Sequence, residues 1–155
     1  MIPIPADFRE FLRLLNRRRV KYLVVGGYAV VYHGYPRYTG DIDIFVAVSP
    51  SNTRALVKVF SDFGFADAEL TPEFFAEYGR VIRLGREPFR LEVVNKVDGV
   101  TFAACYSKRV RARRDGLTIN FIGYDDLLKN KRASNRLKDQ QDVAILAKIP
   151  PPRVR

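Results

Sequence analysis

Two aspartates interrupt an apolar, strand-like run, and this placement constrains the fold more than any other feature of the sequence. Asp41 and Asp43 alternate with Ile42 and Ile44, although burying a carboxylate costs several kcal/mol unless a partner compensates. Because alternate residues of a strand share a face, both carboxylates project to one side of the sheet. They repel each other there, and a divalent cation relieves such repulsion. The run predicts a strand, Ile42 to Val48, that either holds a cation or presents its aspartates to solvent.

A pair of glycines upstream narrows this choice. Gly26-Gly27 separates a predicted strand, Tyr22–Val25, from a short helix that ends before Gly34. Backbone N–H groups and the helix dipole favour phosphate at such a junction, and glycine lets a ligand approach closely. The alternative is that the glycines only allow the helix to pack tightly on the strand. Asp-x-Asp alone also occurs in metal-dependent sugar transferases and in phosphatases, but glycines so close upstream favour a nucleoside triphosphate site.

A metal site of this kind needs a third carboxylate from a neighbouring strand. Glu92, between Leu91 and Val93 in a predicted strand, is the first choice, although an ordinary exposed glutamate fits the same pattern. Asp98 is the second choice, because it lies in a predicted turn, where aspartate is common for local reasons.

The C-terminal helices carry a further set of charges. Lys131 shares the inward face of its helix with Leu127 and Leu128, and Asp139 and Asp142 share the apolar face of the last helix. A lysine and two aspartates at the rim of an apolar face predict a polar site, a structural ion pair, or both.

Composition limits the class of protein. The chain has 155 residues with 47% hydrophobic and 28% charged, which indicates one globular domain, and no apolar run is long enough to span a membrane. We expect the domain to cover residues 1–149 and a coil to follow over 150–155. A formal net charge of +10 favours polyanionic partners. One cysteine, Cys105, cannot form an internal disulfide, so a cytoplasmic protein is expected.

Three arginines alternate in one predicted strand. Arg109, Arg111 and Arg113 lie opposite Val110 and Ala112, and such a stripe could contact a nucleic-acid backbone. An edge strand that charge protects against aggregation would have the same pattern.

The periodicities predict an α+β domain. An amphipathic helix near the start is followed by the strands and short helix described above, by a helix from Pro50, and by a shorter helix that begins at Thr71-Pro72. Hairpins are predicted over 80–94 and over 108–123, the second turning at Asp115-Gly116, and two helices over 125–133 and 138–147.

Three blocks carry a resemblance to a known family. GGYAVVYHGYPRYTGDIDIFV, RLEVVNKVDGVTF and DLLKNKRASNRLKDQQDV resemble the successive blocks of the DNA polymerase beta-like nucleotidyltransferase superfamily. The nearest branch is that of small prokaryotic nucleotidyltransferases related to the toxins of type IV toxin–antitoxin systems. The resemblance covers about residues 22–146 and implies a short mixed sheet flanked by helices.

The resemblance also implies roles for the residues at matching positions. Asp41, Asp43 and Glu92 would hold two Mg²⁺ ions and carry the chemistry, with Glu92 replacing the aspartate found in many relatives. Gly27 replaces a frequent serine whose hydroxyl touches phosphate. The predicted nucleotide-binding residues are Gly26, Gly27, Lys131, Arg136 and Asp139.

The resulting expectation is Mg²⁺-dependent transfer of a nucleoside monophosphate from a nucleoside triphosphate to a hydroxyl. The acceptor could be RNA such as a tRNA end, a protein side chain or a small molecule, and an antitoxin-type partner is a further expectation. The alternative is a non-catalytic RNA-binding or partner-binding module on the same fold.

Overall fold

The structure, a computed structural model, describes residues 3–149. The first two residues and the predicted coil over 150–155 lie outside the described residues. Within residues 3–149 there are seven helices and six strands. The helices are α1 (Ala6–Arg17), α2 (Gly26–Tyr32), α3 (Pro50–Asp62), α4 (Pro72–Ala76), α5 (Phe102–Ser107), α6 (Tyr124–Ser134) and α7 (Leu137–Leu146). The strands are β1 (Tyr22–Val25), β2 (Ile42–Val46), β3 (Val81–Arg86), β4 (Phe89–Val94), β5 (Val110–Arg114) and β6 (Leu117–Phe121).

The strands form one mixed sheet in the order β3-β4-β2-β1-β6-β5. β1 pairs antiparallel with β2 and parallel with β6, whereas β2 pairs parallel with β4. The hairpins β3–β4 and β5–β6 form the two ends of the sheet. The predicted α+β fold, a short mixed sheet flanked by helices, is confirmed, and both hairpins lie where the sequence predicts them.

The centre of the sheet is buried. All four residues of β1 are buried, and β2 buries every residue except Asp43. On α1, the ring of Phe11 packs edge-on against Phe60 of α3, with 5.4 Å between ring centres. The apolar positions of α1 that recur at helical spacing are all buried, namely Phe8, Phe11, Leu12 and Leu15. Burial of this core fixes β1 and β2, whose ends carry the candidate site.

The structure adds one helix that the sequence analysis does not predict. α5 has six residues, too few to show a helical period, and it begins where the Thr101 hydroxyl accepts a hydrogen bond from the Ala104 N–H at 3.4 Å. β2 ends at Val46, two residues before the end predicted at Val48. None of the helices within the described residues is long and apolar enough to cross a membrane.

Candidate active site

Residues far apart in the sequence meet in one cleft of about 900 Å³, at the edge of the sheet where β1 ends and β2 begins. Every residue predicted for the metal and nucleotide sites lines this cleft, which we call the nucleotide cleft. These residues are Gly26, Gly27, Asp41, Asp43, Glu92, Lys131, Arg136 and Asp139. Asp98, the second choice for the third carboxylate, lines it as well.

Strand pairing brings the carboxylates together. The parallel register of β2 and β4 places Asp43 opposite Glu92, and the antiparallel register of β1 and β2 places Val25 opposite Asp43. Asp41 lies immediately before β2 rather than inside it. Two carboxylates therefore lie side by side, with the third just before the strand.

The electrostatics of Asp43 reflect this crowding. Burial first, then the charges of Glu92 and Asp41, raises the pKa of Asp43 to about 7, although Lys131 and Arg136 act in the opposite direction. A carboxylate with such a pKa is unfavourable in its ionised form. A cation close to Asp43 would relieve that cost.

Arginines pair with the other two carboxylates. The backbone N–H of Arg90 donates to Asp41 Oδ1 at 3.0 Å, and its guanidinium donates to Asp41 Oδ2 at 3.2 Å. Arg83, opposite Glu92 in the β3–β4 ladder, donates to Glu92 Oε2 at 3.0 Å. In this arrangement no three His, Cys, Asp or Glu side chains within residues 3–149 converge as a metal-binding group. The donor set is nevertheless the all-oxygen set that Mg²⁺ prefers.

The glycine turn is shaped by its neighbours. Gly26 has φ +66°, and a Cβ there would collide with the carboxylate of Asp43. A Cβ on Gly27 would collide with the hydroxyl of Thr39. The packing alternative is thus part of the explanation, because the glycines make room for protein atoms. The same turn lines the cleft beside the carboxylates, so close approach by a phosphate is compatible with it.

Lys131 is held by two buried aspartates. Its Nζ lies 3.1 Å from Asp139 Oδ1 and 3.1 Å from Asp142 Oδ2, and the lysine is 6% exposed. Arg37 adds a bidentate pair to Asp142 at 2.9 and 3.0 Å. The predicted structural ion pair is therefore present, and it lies in the wall of the nucleotide cleft.

Asp139 is the most fully bonded member of this group. Its Oδ2 accepts from Ser134 Oγ at 2.7 Å and from Arg136 Nε at 2.9 Å. Burial acts to raise the pKa of Asp139, but the hydrogen bonds from Arg136, Ser134 and Lys131 outweigh it and hold that pKa well below its ordinary range. Asp139 is thus a permanent anion that orients Lys131 and Arg136 along the cleft.

Several cleft residues were not identified in the sequence analysis. Arg83 and Arg90 pair with carboxylates only because of the strand registers, and Arg37 reaches Asp142 across 105 positions of sequence. The signal that could have identified Arg90 is its place two residues before Glu92 in the same strand.

The three arginines of the β5 region lie outside the nucleotide cleft. Arg111 and Arg113 are exposed on β5, an edge strand of the sheet. Arg109 precedes β5, and its guanidinium lies 4.0 Å from the centre of the Tyr106 ring and donates to the Tyr106 carbonyl at 3.0 Å. The stripe therefore consists of two solvated arginines and one that is stacked on an aromatic ring.

The comparisons with known proteins place the chain in a family of nucleotidyltransferases. A family model described as "Nucleotidyltransferase of unknown function (DUF6036)" matches residues 6–147, and the chain belongs to this family. The predicted nucleotidyltransferase superfamily is confirmed, while the toxin–antitoxin branch stays a prediction. No curated protein matches the chain.

Solved structures support the same fold. The lincosamide antibiotic adenylyltransferase LnuA, with lincomycin bound, is similar over 95% of this chain and 98% of its own, with 17% identity and a TM-score of 0.60. A putative nucleotidyltransferase from Thermotoga maritima is similar over 91% and 88%, with 17% identity and a TM-score of 0.53. An antigenic nucleotidyltransferase-like protein from Paracoccidioides brasiliensis is similar over 98% and 81%, with 15% identity and a TM-score of 0.52. At such identities the likeness shows the fold.

Proposed function

We propose that the chain transfers a nucleoside monophosphate from a nucleoside triphosphate to a hydroxyl acceptor in the nucleotide cleft. The observation that carries the proposal is the pairing of Asp43 with Glu92 beside the Gly26-Gly27 turn, with the pKa of Asp43 raised to about 7. The charges of Lys131 and Arg136 do not offset the burial of Asp43 and its neighbouring carboxylates, so a further cation would stabilise this edge of the sheet. The Gly26-Gly27 turn beside it has backbone that a phosphate can approach. A complex of a divalent metal with a nucleoside triphosphate would supply both the cation and the phosphate.

Asp41, Asp43 and Glu92 would hold the Mg²⁺, which when bound would stabilise the negative charge of the transferring phosphoryl group. Arg90 and Arg83 compensate Asp41 and Glu92 in the structure described here. With Mg²⁺ held by the three carboxylates, Arg83 and Arg90 would no longer be needed to compensate them and would be free to bind phosphate oxygens.

The acceptor hydroxyl oxygen bonds to the α-phosphorus, and the bond from that phosphorus to the oxygen bridging to the β-phosphate breaks. Pyrophosphate leaves with the electron pair, and the hydroxyl proton passes to Glu92, which is partly exposed in the cleft. Lys131 and Arg136 hold the triphosphate oxygens in line for this displacement.

A small hydroxylated molecule is the acceptor class that the comparisons favour, because lincomycin is bound to LnuA. RNA is the second class, and it is favoured by the net charge of +10 and by exposed Arg111 and Arg113. The same two features would serve the non-catalytic RNA-binding alternative. An antitoxin-type partner stays a prediction of the resemblance.

The test is label transfer from each of the four nucleoside triphosphates, labelled at the α-phosphate, with Mg²⁺ or with EDTA. Acceptors are supplied separately as total RNA, a protein mixture and lincomycin. We expect Mg²⁺-dependent transfer by the wild type, none by Asp43→Asn, and full transfer by Asp7→Asn, a matched change at an exposed site on α1. Nucleotide binding that ignores Mg²⁺, together with RNA binding and no transfer, would favour the non-catalytic module instead.

A further inference from the structure

Arg37 connects two parts of the nucleotide cleft. It lies in the loop between α2 and β2 and lines the cleft. Its Nε and Nη2 donate to Asp142 of α7 at 2.9 and 3.0 Å, and its Nη1 donates to the Tyr38 carbonyl at 3.0 Å. The same Nη1 lies 3.4 Å from the position that a Cβ on Gly27 would occupy. One guanidinium group therefore contacts α7 and lies beside the turn that the proposed function assigns to phosphate.

Asp142 is shared between Arg37 and Lys131. Its carboxylate is buried, so water screens its charge poorly. Its Oδ2 accepts from Arg37 and lies 3.1 Å from Lys131 Nζ, which also lies 3.1 Å from Asp139 Oδ1. Lys131 is thus divided between two buried carboxylates. How strongly Asp142 attracts Lys131 depends on how far Arg37 compensates that aspartate.

The balance of charge in this network depends on Arg37. Its cations are Lys131, Arg37 and Arg136, and its carboxylates are those of Asp139 and Asp142. One positive charge is therefore left over, and all three cations line the cleft. Without Arg37, the two remaining cations would only balance the two aspartates. The surplus charge that attracts a polyanionic substrate would then be lost.

A second bidentate pair shows that this geometry alone does not imply a role in the cleft. Arg18 donates to Asp62 at 2.9 and 3.1 Å, much as Arg37 donates to Asp142. The side chains of Arg18 and Asp62 are 38% and 31% exposed, whereas that of Asp142 is 1% exposed, and neither Arg18 nor Asp62 lines the cleft. Solvent screens the exposed pair. Arg18 is therefore a matched control for Arg37.

We propose that Arg37 is a positioning residue for the triphosphate. By compensating Asp142, it leaves the charge of Lys131 available to phosphate oxygens in the cleft. This inference rests on the proposed nucleotidyl transfer. Arg37 acts on the substrate through Asp142 and Lys131. Its effect is greater for a nucleoside triphosphate than for a monophosphate, because the attraction grows with the negative charge of the nucleotide.

The first arm of the test measures, by calorimetry with Mg²⁺ on folded protein, the affinity of each of the four nucleoside triphosphates and of its monophosphate. We expect Arg37→Met to weaken triphosphate binding about tenfold, comparable to the loss of one hydrogen bond to a charged group, and to weaken monophosphate binding less. Arg37→Lys keeps the positive charge and should recover most of the affinity. Arg18→Met should bind every nucleotide as the wild type does.

The second arm tests whether Arg37 acts through Asp142. Arg37→Met combined with Asp142→Asn removes one charge of each sign, so the surplus positive charge returns and triphosphate affinity should return close to the wild-type value. Asp142→Asn alone increases the surplus and should tighten triphosphate binding, which a purely structural role of the pair does not predict. A double variant that binds as weakly as Arg37→Met would mean that Arg37 binds phosphate itself and would overturn the inference. Equal losses for triphosphate and monophosphate, or no tightening in Asp142→Asn, would overturn it as well.

Label transfer separates this inference from the proposed function. Arg37→Met should raise the KM for the triphosphate more than it lowers kcat, since the lost attraction acts on the bound triphosphate before and during transfer. A wild type that binds triphosphate but transfers no label would refute the proposed transfer and leave the role of Arg37 in binding intact. A wild type that transfers label, with a double variant as weak as Arg37→Met, would refute the role of Arg37 alone.

Discussion

Asp43 of β2 and Glu92 of β4 lie directly opposite each other on neighbouring parallel strands, at the edge of the sheet that also carries the Gly26-Gly27 turn. Arg83 compensates Glu92 at 3.0 Å, while the pKa of Asp43 is raised to about 7 by its burial and by the nearby carboxylates. This pair costs the protein stability and favours a bound cation. Its measurable consequences appear first in the pH dependence of folding.

Asp43→Asn should abolish nucleotidyl transfer and stabilise the metal-free protein. The pKa of Asp43 is higher in the folded state than in the unfolded state, so the folded state binds the proton more tightly. The free energy of unfolding therefore falls as the pH rises from about 4 to about 7, and the loss is complete above that range. Asparagine does not ionise, so the variant avoids this loss of stability. We expect its free energy of unfolding to exceed that of the wild type by roughly 2–4 kcal/mol at pH 8 and by less at pH 5.

Urea unfolding in EDTA measures this change, with Asp7→Asn as the control at an exposed position. A variant less stable than the wild type at pH 8 would show that Asp43 is compensated within the protein.

Mg²⁺ should reduce the pH dependence of the wild type. The ion attracts ionised Asp43 and lowers its pKa, so the melting temperature should rise more with Mg²⁺ at pH 8 than at pH 5. The rise at pH 8 should be lost in Asp43→Asn, which lacks the charge. Equal rises in both proteins would place the bound ion elsewhere on the chain.

The sequence predicted what depends on local patterning. A period of two residues predicted that Asp41 and Asp43 share a face, and a period of three to four predicted the inward face of Lys131. The Gly26-Gly27 junction was predicted from the change between strand and helix patterns. The pairing of Arg83 with Glu92 depends on a strand register, which no local period reveals. α5 was missed because six residues hold too little periodicity to distinguish a helix from a loop.

For the candidate site, the sequence predicted the individual residues but not the contacts between them. Asp41, Asp43 and Glu92 were chosen from strand patterns, and they do line one cleft. The contact between Arg37 and Asp142 spans 105 positions, so only the tertiary fold brings the two together.

Lys131→Met should destabilise the fold much more than Lys129→Met. Lys131 neutralises Asp139 and Asp142 in a buried network, and leaving such charges uncompensated costs about 3 kcal/mol or more. Lys129 is exposed on the same helix, so its loss should change the free energy of unfolding by no more than about 0.5 kcal/mol.

Denaturant unfolding of the two lysine variants at pH 7 gives the comparison. Because Arg37 and Arg136 also contact the aspartates, the protein should still fold. Nucleotide affinity, measured on the folded variants, should fall for Lys131→Met and not for Lys129→Met. Similar stabilities for the two variants would contradict the structural role of Lys131.

Gly26→Ala should cost more stability than Gly64→Ala. Both glycines have positive φ, +66° and +99°, so alanine is strained at each by roughly 1–2 kcal/mol. At Gly26 the added Cβ also collides with the carboxylate of Asp43, whereas at Gly64 nothing lies within 4 Å. Thermal unfolding should therefore separate the two variants, and Gly26→Ala alone should lose the stabilisation by Mg²⁺. Equal costs would mean that Asp43 moves aside freely.

The arginines at β5 give the test of an RNA acceptor. If RNA binds there, Arg111→Ala with Arg113→Ala should weaken RNA binding and reduce the log–log salt slope by roughly 0.7–0.9 for each phosphate that is no longer neutralised. Nucleotide affinity should not change, because neither residue lines the nucleotide cleft. Arg109→Ala should instead lower stability, since its guanidinium stacks on Tyr106 and donates to the Tyr106 carbonyl. RNA binding that stays unchanged in the double variant at both low and moderate salt would leave edge protection as the role of Arg111 and Arg113, and the acceptor would then be sought among small molecules and proteins.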